Sequence, residues 1–136
     1  MSVYGKIQTQ FRDMDSLIAA LVELGYTKEM IELHTESTHL YGYHGDRRAE
    51  KANIVIRRFH IGLSSNDIGF LRESDGSYTA IVSKFDQGIL GADWMNRLKR
   101  SYAKIAAVSV LSKRGYRVTS EVKTGDSLRV VMSRAR

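Results

Sequence analysis

Two stretches of helical periodicity flank a long block that codes for strands, and this order restricts the fold more than any other feature. Met14, Leu17, Ile18, Leu21 and Leu24 recur at i, i+3, i+4 and i+7, which makes one face of a helix apolar. Asp13 occupies the N-cap position, and Asp15 complements the dipole of the first turn. Gly25 stands where a glycine ends a helix. The second helix is expected from Asp93, as its cap, to Arg114. Projected at about 100° per residue, Trp94, Leu98, Tyr102, Ile105, Ala106 and Ser109 share one arc, expected to face the core. Arg97, Arg100 and Lys104 share another arc, read either as a solvated face or as an extension of a basic patch. Lys113 and Arg114 suit the C-terminal dipole, and Gly115 closes the helix.

The remaining segments read as strands and turns. Residues 4–11 alternate in the strand sense. Residues 26–36 fit neither period well, and a short strand is expected over 29–35. Residues 41–46 read as a strand end and a turn. Residues 52–57 are β-branched and strand-like, and Ser64-Ser65-Asn66 is a turn. Residues 68–73 and 78–85 form a hairpin around Ser74-Asp75-Gly76-Ser77, with a glycine-containing connection over 86–90. A second hairpin is expected from residues 116–122 and 127–133, turning at Lys123-Thr124-Gly125-Asp126. The order β-α, strand block, α-β-β predicts an α+β fold, with both helices on one face of a mainly antiparallel sheet. At 136 residues, with no linker or repeat, a single domain over 1–136 is expected.

Composition narrows the function classes. There is no cysteine, so neither a disulfide framework nor a thiolate metal site can form. No apolar run is long enough to span a bilayer and no signal-peptide core is visible, so a cytoplasmic protein without a membrane partner is expected. The net charge is +6 and the pI about 9.7, a balance that favours nucleic acid, nucleotides or acidic protein surfaces as partners.

The candidate surface lies between Leu40 and Phe70. Arg47, Arg48 and Lys51 precede the expected 52–57 strand, Arg57 and Arg58 end it, and Tyr41, Tyr43, His44 and Phe59 interleave. Arginine offers bidentate phosphate contacts and aromatic rings offer stacking platforms. Tyr41, Tyr43, His44, Arg47, Arg48, Lys51 and Arg57 are therefore the expected ligand-binding residues. In the competing reading, Arg57 lies on the solvent face of a strand and the tyrosines pack beneath the loop. No P-loop, dinucleotide fingerprint or nucleophile elbow is present, so no catalytic residue and no cofactor are expected. His34, His39, His44 and His60 lack the i, i+4 spacing of a helical metal pair, and no metal is expected. An enzyme using His44, Asp46 or Asp67 is kept as an alternative; Asp67, beside Asn66 and before Gly69, also reads as a turn-supporting residue.

Several blocks in one order resemble a known family. Lys6-Ile7-Gln8-Thr9-Gln10, Arg12-Asp13 and Leu24-Gly25-Tyr26 resemble the start of the hypothetical chloroplast reading frame 35 proteins, domain of unknown function 1257. Gly42-Tyr43, Gly45, Ala52 and Val55-Ile56 resemble its central segment, and Asp67-Ile68-Gly69-Phe70 its Asp-Ile-Gly-Phe signature. Asn96 to Tyr102, Gly115-Tyr116 and the closing basic strand are similar to its final third. The resemblance implies a small soluble protein of a kind found in cyanobacteria, algal plastids, other bacteria and some phages, and it carries over no catalytic residues. The chain departs from the pattern at Ser83-Lys84-Phe85-Asp86, where the family has a tryptophan-rich strand, and carries extra residues from Phe59 to Ser65.

The expected function is that of a non-enzymatic binding or accessory module acting through the basic, aromatic-bearing loop, with a protein or anionic ligand as partner. Nucleic-acid or nucleotide binding, including sequestration, is the alternative. The edge of the last hairpin could pair with a second copy, since unpaired strand edges invite strand addition.

Overall fold

A computed structural model describes residues 3–125 and 127–134. Strand β1, Tyr4–Gln8, leads into helix α1, Met14–Glu23. The Asp13 side chain accepts from Ser16 N at 3.3 Å, as the sequence predicts for its cap. At the other end Gly25 takes φ +117°. Its N–H reaches Val22 O, and Tyr26 N–H reaches Leu21 O, the pair of bonds that closes a helix with a left-handed glycine. The apolar stripe is narrower than predicted: Leu17, Ala20 and Leu21 are buried, whereas Met14 is exposed. Burying Leu17 and Leu21 stabilises by about 1.5–3 kcal/mol each.

After a 3₁₀ turn at Lys28–Met30 comes β2, Ile31–Tyr41, which pairs with β3, Arg47–Ile56. Both strands outrun their predicted bounds, 29–35 and 52–57. The reason is an irregular ladder. Leu33 faces Ile54 and Thr38 faces Ala52, so β2 bulges over residues 34–37. Asn53 serves this bulge: its Nδ2 donates to the carbonyls of His34 and Thr35, each at 3.2 Å. The Arg47–Lys51 run is thus the first half of a strand and not a loop.

Strands β4, Ile68–Arg72, and β5, Tyr78–Ser83, make the predicted hairpin. The connection expected over 86–90 is instead a helix, α2, Lys84–Leu90, whose N-cap Ser83 accepts from Asp86 N. Helix α3 spans Trp94–Lys113. Asp93 stands at its N-cap but makes no side-chain cap bond, so the predicted capping is corrected. Strands β6, Tyr116–Thr124, and β7, Ser127–Arg134, form the last hairpin. The predicted turn residue Asp126 lies outside the described residues.

The main sheet is five-stranded and antiparallel, in the order β1-β5-β4-β3-β2. Helices α1 and α3 cover one face, where Leu17 and Leu21 meet Ile54, Phe70, Trp94 and Leu98. Tyr102 ties the two helices together: its hydroxyl accepts from the backbone N–H groups of Arg12 and Asp13, both at 2.9 Å. Alternation along the strands sends Val55 and Ile81 to the opposite face, where they join Tyr4, Leu40 and Ala52. The fold is α+β, as expected. The β6–β7 hairpin forms a sheet of its own and rests on α3.

Candidate functional site

The predicted cluster splits into an inward and an outward set. Arg57 turns inward. Its Nε and Nη2 grip the two carboxylate oxygens of Glu32, each at 2.9 Å, and its Nη1 reaches Asp67 Oδ2 at 2.9 Å. The bidentate bond to Glu32 and the bond to Asp67 push the guanidinium pKa up, against the opposing effect of burial. The same bond from Arg57, aided by His34, holds the Glu32 carboxyl below its ordinary value. Arg57 also lies 5.7 Å over the Tyr41 ring.

Asp67 organises this corner. Its carboxylate is 1% exposed. Oδ2 accepts from Tyr41 N at 2.7 Å and Oδ1 from Arg58 N at 2.8 Å. Its carbonyl accepts from the Tyr4 hydroxyl at 2.7 Å, and its N–H donates to Tyr41 O. Burial is the main reason that the Tyr4 phenol is raised far above its ordinary value, with the Asp67 charge second. Gly69 follows for a steric reason: a Cβ there would stand 2.5 Å from Ala52 Cβ and 3.0 Å from a methyl of Leu40. Phe70 is fully buried. The Asp-Ile-Gly-Phe signature thus does structural work at every position: Asp67 bonds the corner, Gly69 permits the close approach, and Ile68 and Phe70 fill the core.

Arg48 is also drawn inward, with its side chain 15% exposed, its Nε 3.9 Å from Asp46 Oδ2 and its guanidinium 5.0 Å over the Tyr4 ring. The outward set is Tyr41, His44, Arg47 and Lys51, all exposed. Tyr41 faces Arg47 across the ladder and His39 faces Lys51. The Tyr43 and His44 rings lie 3.8 Å apart at the hairpin turn. His44 and Asp46 share that turn, whereas Asp67 is committed to the buried corner just described. Among the described residues no group of three or more His, Asp or Glu is placed to hold a metal ion. Nor is any helix among them long and apolar enough to cross a membrane.

A buried polar knot escaped the sequence reading. Asp86 Oδ2 accepts from Asn66 N at 2.9 Å, from Asn66 Nδ2 at 3.2 Å and from the Ser83 hydroxyl at 2.6 Å. Asn66 Oδ1 in turn accepts from Tyr43 N at 3.0 Å. This knot fastens α2 and the 41–46 turn to the start of β4.

The larger basic feature lies elsewhere. From Trp94 onward the chain holds eleven Lys and Arg against two acidic residues, while residues 1–93 hold ten against thirteen. The positive excess therefore belongs to α3 and the last hairpin. A count of charge along the chain would have found it. Leu128, Val130 and Met132 alternate inward from β7, and they face α3 across an open cleft of about 430 Å³. A second hollow of about 350 Å³ adjoins it, bordered by Arg97, Arg100, Ser101, Lys104 and Lys123, with Glu23 of α1 also on its rim. Both hollows are bordered by Arg100, Lys104 and Leu128, so they form one trough. Lys104 and Glu121 pair at 2.6 Å between α3 and β6, and that bond raises the Lys104 pKa.

No curated protein and no solved structure matches the chain. A family model does, over residues 20–131, from within α1 to within β7. That span takes in the Asp67 corner, its signature and the basic trough, and the chain belongs to the family described as protein of unknown function DUF1257.

Proposed function

We propose that this chain is a binding or accessory module that engages an anionic partner through the α3–β6–β7 unit. The observation that carries the reading is the charge division: the whole positive excess is placed on one helix and one hairpin, beside a trough that could receive a ligand. Basic surfaces of this kind steer acidic partners and lose affinity with salt. The probe is labelled polyglutamate, followed by fluorescence anisotropy at low and physiological salt. Binding should fall steeply with salt and should weaken in an Arg97→Ala, Lys123→Ala double variant. Absence of binding at low salt would refute the reading.

A second reading keeps the hairpin surface. Tyr41, Arg47 and Lys51 are exposed on paired strands, and the Tyr43–His44 ring contact offers a stacking edge. These groups suit single-stranded nucleic acid. Arg48 and Arg57 would act here as supports for Tyr4 and Tyr41. Labelled single-stranded DNA separates the two readings: binding lost in Arg47→Ala with Lys51→Ala, and retained in the α3 variant, would favour the hairpin.

A further inference from the structure

The trough between α3 and the last hairpin is divided by chemistry. At one end the walls are Ala103, Ala107 and Leu111 from α3 with Val130 and Met132 from β7. At the other end stand Arg97, Arg100, Lys104 and Lys123, four cations against the one carboxylate of Glu23. Ser101 borders this basic end, and its Oγ, shielded from solvent, makes no hydrogen bond. Ser101 as a residue is 7% exposed. A buried hydroxyl without a partner is unfavourable, and rotation about the Ser101 Cα–Cβ bond would let it donate to an oxygen acceptor bound among these cations.

We propose that the trough binds an amphiphilic anion of the long-chain acyl carboxylate class, with the chain in the apolar end and the carboxylate among Arg97, Lys104, Lys123 and Ser101. The apolar cleft of about 430 Å³ falls within the range of roughly 300–1,000 Å³ usual for small-molecule sites. The choice of a hydrocarbon over a peptide follows from the walls. The cleft runs against side chains on one face of the β6–β7 pair, whose unpaired backbone groups lie along the outer edges of that two-stranded sheet, and α3 satisfies its backbone internally. The apolar end therefore offers side-chain contact but few backbone partners for an extended peptide. A hydrocarbon chain needs none. Glu121 bonds to Lys104 and occupies one of the cations that the incoming carboxylate would use.

The inference rests on the α3–β6–β7 unit being the binding surface, and the experiment keeps the two apart. Dodecanoate, below its micelle-forming concentration, is titrated calorimetrically into the full chain, with dodecanol and butyrate as controls. Dodecanoate should bind. Dodecanol, without the charge, should bind about tenfold more weakly or worse, and butyrate should show no measurable binding, since it lacks most of the methylenes whose burial drives association. Ala107→Trp, at an exposed position of α3, should abolish dodecanoate binding, and polyglutamate binding is read in parallel on the unsubstituted chain. Ala103→Trp serves as a second block, with circular dichroism confirming the fold of each. Glu121→Gln should tighten dodecanoate binding about threefold or more by releasing Lys104. Failure of dodecanoate to bind, equal binding of dodecanol, unchanged binding in both tryptophan variants, or no gain in Glu121→Gln would overturn the assignment. Loss of polyglutamate binding alone would instead count against the broader anionic-partner reading.

Discussion

The Arg57 guanidinium and the Asp67 carboxylate meet at 2.9 Å, with Asp67 almost wholly shielded from water. The contact joins the residue that follows β3 to the residue that begins the Asp-Ile-Gly-Phe signature. A single carboxylate thereby serves Tyr41 N, Arg58 N and Arg57 together. Removing one partner of such a pair leaves the others buried and unsatisfied. Asp67→Ala should destabilise the fold by about 3–5 kcal/mol, measured by urea unfolding. A loss below about 1 kcal/mol would show that the corner is not structural.

Gly69 makes a sharper test of packing. A Cβ at this position would overlap Ala52 Cβ and crowd Leu40. Gly69→Ala should cost about 1–3 kcal/mol through overpacking. Pairing it with Ala52→Gly should recover part of that loss, because the main clash is then gone. A double variant whose loss equals the sum of the two single losses would contradict the contact.

The Glu32 carboxyl titrates below its ordinary value of 4.5, chiefly because Arg57 bonds to it. A depressed folded pKa adds stability that is fully present above the unfolded value. That contribution is lost as pH falls through the folded value. Stability should therefore drop on acidification below pH 4.5, and Glu32→Gln should make that drop shallower. Because the Glu32 side chain is 39% exposed, solvent screening keeps the effect modest. Identical acid limbs in the two proteins would remove the Arg57–Glu32 pair from the account.

Tyr102 accepts two backbone N–H groups at the entry to α1 and stacks near Phe11, with ring centroids 4.6 Å apart. Tyr102→Phe keeps the ring and removes only the acceptor. It should cost about 1–2 kcal/mol and speed amide exchange at Arg12 and Asp13. Unchanged exchange there would mean that water replaces the hydroxyl without penalty.

Local chemistry made much of the fold legible. The Asp13 cap, the Leu17 and Leu21 stripe and the Gly25 stop mark α1 because each acts within one or two turns. The Asp75-Gly76 turn marks the β4–β5 hairpin for the same reason. What escaped depends on distant partners. Arg47 to Lys51 looked like a charged loop because the exposed side of a strand carries the same residues. Ser83 looked like the interior of a strand running to residue 85, although it ends β5 and its hydroxyl starts α2. Arg57 looked like a free ligand-binding cation, and only the tertiary fold brings Glu32 and Asp67 to it. The basic trough was legible as a charge excess after Trp94, but its apolar half exists only once β7 lies against α3.

The most direct test of the binding reading is amide chemical-shift mapping of the full chain titrated with polyglutamate at low salt. The account predicts that the largest shifts fall on Arg97 to Lys104 and on Lys123 to Val130, and that they vanish as salt rises. Shifts confined to Tyr41–Lys51, or no shifts at all, would contradict it.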